Sequence, residues 1–135
     1  MDSIDALREY LRGFARRRDW EQFHTPKNLA MALAGEAGEL LAEFQWLTPD
    51  ESRTVMGDAT SAAAVRSEMA DVFLYLVRLA DVLDVDLLAA AREKSLVNES
   101  RFPPTDQGSD PGSEPDPTGT GSGRSARQGR TQGDS

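Results

Sequence analysis

Cysteine and long apolar runs are both missing from this sequence. Without cysteine, the chain has neither a disulfide framework nor a thiolate metal site. Its apolar runs are far shorter than the roughly 20 residues needed to cross a bilayer. The first residues, MDSIDALREY, also lack the basic and apolar regions of a signal peptide. These absences predict a cytoplasmic protein with no membrane partner.

Positive charge is scarce as well. The formal net charge is −8, and residues 1–102 contain 12 Lys and Arg against 18 Asp and Glu. A nucleic-acid partner is therefore not expected, because binding to nucleic acid needs a basic surface. An anionic small molecule can still bind if divalent cations bridge it to protein carboxylates.

The last part of the chain has no large apolar residue. From Pro103 to Ser135 there is no Ile, Leu, Val, Met, Phe, Tyr or Trp. Such a stretch cannot bury enough apolar surface to offset the entropy of ordering it. We therefore predict one folded domain over residues 1–102 and a disordered Gly/Ser/Pro-rich tail over residues 103–135.

The folded part shows helical periodicity, with no strand alternation, internal repeat or Gly-rich phosphate loop. Ser3, Thr25 and Asp86 are placed to cap helices, and Thr48 and Glu51 have the spacing of a capping box. The pattern predicts an all-α, four-helix bundle whose main helices cover residues 4–18, 26–47, 61–83 and 87–101. A short helical piece is expected between the second and third.

The third of these helices is apolar on nearly every side. Met69, Phe73 and Leu76 lie on one stripe, while Leu74 and Val77 lie elsewhere on the same helix. A single partner helix would not cover so much apolar surface. The pattern indicates a homo-oligomer.

Carboxylates recur at helical spacing on the second and third helices. Glu36, Glu39 and Glu43 share one face, and Glu68 and Asp71 are again three residues apart. An ordinary solvated helix face is the alternative to a metal site. No Lys or Arg lies between residues 28 and 52, however, and Asp71 lies in an apolar run where an unpaired charge is costly. Oxygen ligands of this kind suit Mg²⁺.

Three polar residues form a stripe on the last helix, and two tryptophans flank the second. Lys94, Asn98 and Arg101 are spaced to meet phosphate oxygens, or else they form a solvated outer face. Trp20 and Trp46 are candidates for stacking on a base, or else core or interface residues. His24, which precedes a helix start, is assigned a positioning role rather than that of a general base.

The sequence around these residues resembles the MazG-like all-α NTP pyrophosphohydrolases, and within them the dCTP pyrophosphatase branch. Three stretches carry the resemblance: RDWEQFHTPKNLAMALAGEAGELLAEFQW, EMADVFLYLVRLADVLDVDLLAAAREK and NESRFP. The family pattern is Glu-x-x-Glu followed by Glu-x-x-Asp on the next long helix. Glu36, Glu39, Glu68 and Asp71 fill its four places in order, and DWEQFHTP indicates the branch.

The resemblance implies roles for particular residues. The four carboxylates would hold Mg²⁺, with Mn²⁺ as a possible substitute, and Glu39 is taken as the residue nearest the attacking water. Glu43 would be an outer ligand. The residues that match the substrate-binding positions of the branch are Trp20, Trp46, Tyr75, Lys94, Asn98 and Arg101. His24 is placed in the same substrate-binding set. The chain departs from the branch at Leu11, where relatives have a histidine, and this bears on cytosine selectivity rather than on hydrolysis.

The function expected from the resemblance is Mg²⁺-dependent hydrolysis of dCTP to dCMP and diphosphate by a homodimer or homotetramer. Two alternatives remain open. One is a hydrolase of a broader range of nucleotides, of modified nucleotides or of phosphoribosyl-ATP. The other is a helical interaction module without turnover, against which the density of carboxylates argues.

Overall fold

A computed structural model of the chain describes residues 2–105 and contains only helices and connecting turns in that range. This confirms the predicted all-α class. The helices are α1 (Ile4–Arg16), α2 (Pro26–Ala42), α3 (Pro49–Arg53), α4 (Ala59–Val82) and α5 (Leu87–Arg101), with a 3₁₀ turn at Val55–Gly57. None of the described helices is both long and apolar enough to cross a membrane.

Side-chain caps begin the helices. Ser3, Thr25 and Asp86 each accept a hydrogen bond from a backbone N–H of the first turn, as predicted. The capping box before α3 is also confirmed, since Thr48 Oγ1 accepts from Glu51 N and Glu51 Oε2 accepts from Thr48 N.

Four helix boundaries differ from the prediction, and two of them are small: α1 ends at Arg16 rather than at residue 18, and α4 ends at Val82 rather than at residue 83. Asp58 caps α4 through hydrogen bonds from the Ser61 N–H and hydroxyl, both 2.8 Å, so α4 begins at Ala59 rather than at Ser61. The helix α2 ends at Ala42 rather than at Leu47. Thr48 is extended because it precedes Pro49 and caps α3, and residues 43–47 form turns that lead into it.

The core lies where α2 and α1 pack against α4. Its buried apolar residues are Ala15, Leu29, Ala62, Val65, Val77 and Ala80. The predicted α4 stripe is exposed in the single chain at Met69, Phe73 and Leu76, although Ala80 on the same stripe is buried. The helix α5 contributes no buried residue.

Two helices end with an aspartate in the left-handed region. Asp19 and Asp84 both have φ of 54°. After each, a backbone N–H returns to the helix: Trp20 N donates to Ala15 O at 3.0 Å and Val85 N donates to Ala80 O at 2.9 Å. This is the Schellman arrangement, in which glycine is the usual residue.

Residues 2–102 belong to one compact unit. The predicted disordered tail lies outside the described residues from residue 106 onward, so that part of the prediction stays a prediction.

Candidate active site

Three carboxylates from two helices come together in the structure. Glu36 and Glu39 are one turn apart on α2, and Glu68 faces them from α4, the helix against which α2 packs. One oxygen from each of the three lies within 4.8 Å of the other two. We refer to Glu36, Glu39 and Glu68 as the acidic cluster.

Glu68 is placed where a bare carboxylate is unfavourable. Its Oε2 atom is buried and has no hydrogen-bond partner. Burial raises the pKa of Glu68, and the neighbouring charges of Glu39, Asp71 and Glu36 raise it further. The pKa of Glu36 is raised in the same way, first by burial and then by Glu39 and Asp71.

The acidic cluster has the properties of a site for a hard divalent cation. None of the ion pairs within residues 2–105 includes any of its three members. Negative charge is thus concentrated without a protein cation beside it, and one buried oxygen lacks a donor. Carboxylate oxygens at this separation can share one ion.

Asp71 lies beside the acidic cluster but not within its tight group of oxygens. Its charge contributes to the raised pKa of both Glu36 and Glu68, so it is close to each. Asp71 also lines a cavity. It is therefore close to the acidic cluster and part of the cavity wall.

This cavity, which we call the aromatic cavity, has a volume of about 170 Å³. Its walls are Leu11, Phe14, Trp20, His24, Asp71, Leu74, Tyr75 and Arg78. The rings of Phe14 and Trp20 meet edge to face at 5.8 Å between centroids, and the His24 ring lies 6.0 Å from that of Trp20. The structure thus gathers three of the predicted substrate-binding residues, Trp20, His24 and Tyr75, next to Asp71.

A buried charged network borders the aromatic cavity. Arg78 Nε donates to His24 Nδ1 at 3.2 Å, and Arg78 Nη1 donates to Asp81 Oδ2 at 2.7 Å. Arg12 also donates to both carboxylate oxygens of Asp81. Burial lowers the pKa of His24, and the charge of Arg78 lowers it further.

Sequence reasoning missed Arg78 and Asp81. A signal was present, because Arg78 interrupts the apolar run of α4 between Val77 and Leu79. A charge at such a position must find a buried partner. Asp81, three residues further along the same helix, is that partner.

Other predicted residues lie apart from this region. Trp46 is 87% exposed in the turn after α2 and does not line the aromatic cavity. Lys94, Asn98 and Arg101 are exposed on α5 and do not line it either. Glu43 directly follows α2 and lies outside the acidic cluster.

Comparisons with known proteins show what the chain is similar to. No family model matches the sequence. The chain is 43% identical over 101 residues to the dCTP pyrophosphatase 1 of Homo sapiens and 42% identical to that of Mus musculus. In both cases the match covers 75% of this chain and 59% of the relative, so the chain spans about three fifths of the length of these curated relatives.

A solved structure is similar over nearly its whole length. The crystal structure of a pyrophosphatase from Archaeoglobus fulgidus matches with a TM-score of 0.69 and 38% sequence identity. The match covers 74% of this chain and 92% of the archaeal one. Likeness at this identity and coverage concerns the whole helical domain rather than a single motif.

Proposed function

Since the chain belongs to the MazG-like all-α NTP pyrophosphohydrolases, we propose that it hydrolyses a nucleoside triphosphate to the monophosphate and diphosphate. The preferred substrate is a pyrimidine deoxynucleotide, dCTP, in agreement with the names of the curated relatives. The biological role is control of the nucleotide pool.

The position of Asp71 is the observation that carries this proposal. A nucleotide has an anionic end and an aromatic end, and Asp71 is close to the acidic cluster and also lines the aromatic cavity. A triphosphate directed at the acidic cluster would extend its base into the aromatic cavity past Asp71. A scaffold without a ligand needs no such pairing of surfaces.

In this proposal, different residues bind the metal, accept a proton and bind the base and sugar. Glu36, Glu39, Glu68 and Asp71 would hold Mg²⁺, which would supply positive charge beside the phosphate oxygens and lower the pKa of a bound water molecule. The exposed carboxylate of Glu39 accepts the proton of the attacking water, because Glu36 and Glu68 are less accessible. Trp20 stacks on the base, and Tyr75 contacts the sugar.

A second candidate is a hydrolase with a broad range of pyrimidine triphosphates. Leu11, Phe14 and Leu74 give the aromatic cavity an apolar wall that offers no hydrogen bond to a base edge. Such a wall discriminates weakly between bases that differ in their polar groups. The margin of dCTP over dUTP and dTTP is therefore expected to be small.

A second copy of the chain completes the protein in this proposal. The helix α5 has no buried residue, and the α4 stripe of Met69, Phe73 and Leu76 is exposed. Association of two or four copies would cover both surfaces. It would also allow Lys94, Asn98 and Arg101 to contact the phosphates of a nucleotide bound to a neighbouring copy, since these residues do not line the aromatic cavity of their own chain.

The decisive experiment is chromatographic separation of products from a panel of triphosphates, with Mg²⁺ and with a chelator. We expect dCTP to be cleaved faster than dATP and dGTP, to give dCMP and diphosphate, and only with the metal. Formation of dCDP and phosphate, or a purine as the best substrate, would contradict the proposal.

The two tryptophans provide a matched test of the base site. Trp20→Ala should raise the KM for dCTP, because stacking on an aromatic side chain contributes roughly 1–3 kcal/mol. Trp46 lies outside the aromatic cavity of its own chain. A raised KM in Trp46→Ala would indicate that Trp46 stacks on a base bound to a neighbouring copy, and an unchanged KM would indicate that it has no role in binding. Equal loss of activity toward all triphosphates in both variants would remove stacking from the proposal.

A further inference from the structure

The hydrogen bond between Arg78 and His24 fixes where the imidazole carries its proton. An arginine Nε–H can only donate, so His24 Nδ1, 3.2 Å away, must accept. A neutral imidazole has one proton, which must then be on Nε2. No described residue forms a second hydrogen bond to this ring, so Nε2–H is available to a ligand.

Arg78 is itself held in place. It is 8% exposed, and its Nη1 donates to Asp81, whose side chain is 5% exposed. Arg12 from α1 anchors the other side of the same carboxylate. Asp81, itself bound by Arg12, therefore holds the Arg78 guanidinium at the Nδ1 edge of the His24 ring, which lies on the connection between α1 and α2.

The surroundings keep the imidazole neutral. Burial and the charge of Arg78 both lower the pKa of His24. The charged groups linked to the ring are Arg78 and, through it, Asp81 of α4, which in turn pairs with Arg8 and Arg12 of α1. Asp71 lines the same cavity. At neutral pH the ring thus offers a hydrogen-bond donor rather than a positive charge.

His24 lies beside Trp20, so its Nε2–H donor is next to the proposed base-stacking residue. The two rings are 6.0 Å apart between centroids at an angle of 59°, and both line the aromatic cavity. A base stacked on Trp20 has its edge toward His24. We propose that Arg78 and Asp81 are positioning residues that fix His24 as an Nε2–H donor to an acceptor on the pyrimidine edge.

This inference rests on the proposed function for the identity of the ligand. The acceptor that suits a single fixed donor is a ring carbonyl such as O2, which cytosine, uracil and thymine share. His24 therefore strengthens binding of pyrimidines as a class and does not distinguish among them. Base selectivity within the class has to come from other contacts.

The protonation of the ring can be tested without turnover, because His24 is the only histidine of the chain. Long-range ¹H–¹⁵N NMR of the full chain at neutral pH should show Nε2 as the protonated nitrogen and Nδ1 as the bare one. Arg78→Met should convert this into a mixture of tautomers. A proton on Nδ1 in the wild type, or an unchanged spectrum in Arg78→Met, would overturn the proposal.

Kinetics test whether Arg78 acts through His24. Loss of one hydrogen bond should raise the KM for dCTP and dUTP alike, by up to about tenfold, with little change in kcat. In a His24→Ala background, Arg78→Met should add almost nothing. An equal additional loss in that background would show a merely structural role for Arg78 and contradict the relay through His24.

Two further variants serve as controls. Arg78→Lys keeps the charge but not the planar fork, so it should recover folding and only part of the KM. Arg66→Met removes an exposed arginine from the same helix and should match the wild type in both assays. If the wild type cleaves no triphosphate, the proposed function fails, whereas the NMR result still decides the positioning role.

Discussion

Glu68 holds a carboxylate oxygen that is buried and has no hydrogen-bond donor. Because its pKa is raised, the folded chain binds this proton more tightly than the unfolded chain does. The group therefore favours folding below its ordinary pKa of 4.5 and loses that contribution as the pH rises through its folded value. At neutral pH the ionised carboxylate opposes folding unless a cation is bound.

We predict that Glu68→Gln raises the melting temperature at pH 7 without metal, and that the gain disappears at pH 4. With Mg²⁺ the order should reverse, since a ligand that binds only the folded state stabilises it. Differential scanning calorimetry at both pH values, with Glu99→Gln on the exposed α5 as control, measures this. A variant less stable than the wild type at pH 7 without metal would refute the account of Glu68.

Glu39 and Asp71 provide the test of catalysis. Glu39→Gln and Asp71→Asn should each lower kcat/KM for dCTP by more than the roughly 10–100-fold that loss of an outer-shell partner costs. Helical circular dichroism should stay unchanged, and Asp50→Asn, an exposed residue of α3, should keep full activity. Normal turnover in both variants would exclude the four-carboxylate site.

For individual residues, contacts between near neighbours in the sequence were easier to predict than contacts between distant residues. The spacing of Glu36 and Glu39 follows from helix geometry, so their shared face was predictable. The bond between Arg78 and His24 joins residues 54 positions apart, and no local rule specifies it. The apolar neighbours of Arg78 indicated burial, but its partner depended on how α4 packs against the α1–α2 connection.

At the scale of helices, the two aspartates with positive φ mark helix ends where the backbone conformation is less favourable for an L-residue than for glycine. Asp84 ends α4 with φ of 54°, a conformation that costs an L-residue roughly 1–2 kcal/mol and a glycine almost nothing. The connection to α5 nevertheless keeps its backbone hydrogen bond from Val85 N to Ala80 O.

Asp84→Gly should therefore raise the melting temperature by about 4–8 °C for each kcal/mol gained. Asp84→Ala keeps the unfavourable conformation and loses the tolerance of aspartate for it, so it should not stabilise the chain. Thermal denaturation followed by circular dichroism distinguishes the two. A glycine variant that melts no higher than the alanine variant would contradict this interpretation of the turn.

Helix starts were easier to predict than helix packing. Ser3, Thr25 and Asp86 could be recognised from the sequence as the starts of their helices, because a cap is a local hydrogen bond to the next turn. On one apolar stripe of α4, Ala80 is buried whereas Met69, Phe73 and Leu76 are exposed, and this difference depends on which helices contact α4. Periodicity shows that a surface is apolar and leaves open whether the same chain covers it.

For the whole molecule, the exposed α4 stripe predicts association. We expect a dimer or tetramer by light scattering at micromolar concentration. Phe73→Asp should shift it toward the monomer, because a carboxylate would be buried against apolar surface in the assembly. Thr60→Glu, at the exposed start of the same helix, should leave the assembly intact. A fully active monomer would exclude this prediction.

The two tryptophans also make the chain its own optical reporter. Trp20 lies in the aromatic cavity and is 44% exposed, whereas Trp46 is almost fully in solvent. A base stacked on the Trp20 indole should quench its fluorescence, and Trp46 should add a red-shifted background wherever it is not covered. Trp46→Phe would leave one emitter inside the cavity, so that titration with dCTP and a non-catalytic cation reports occupancy of the pocket directly.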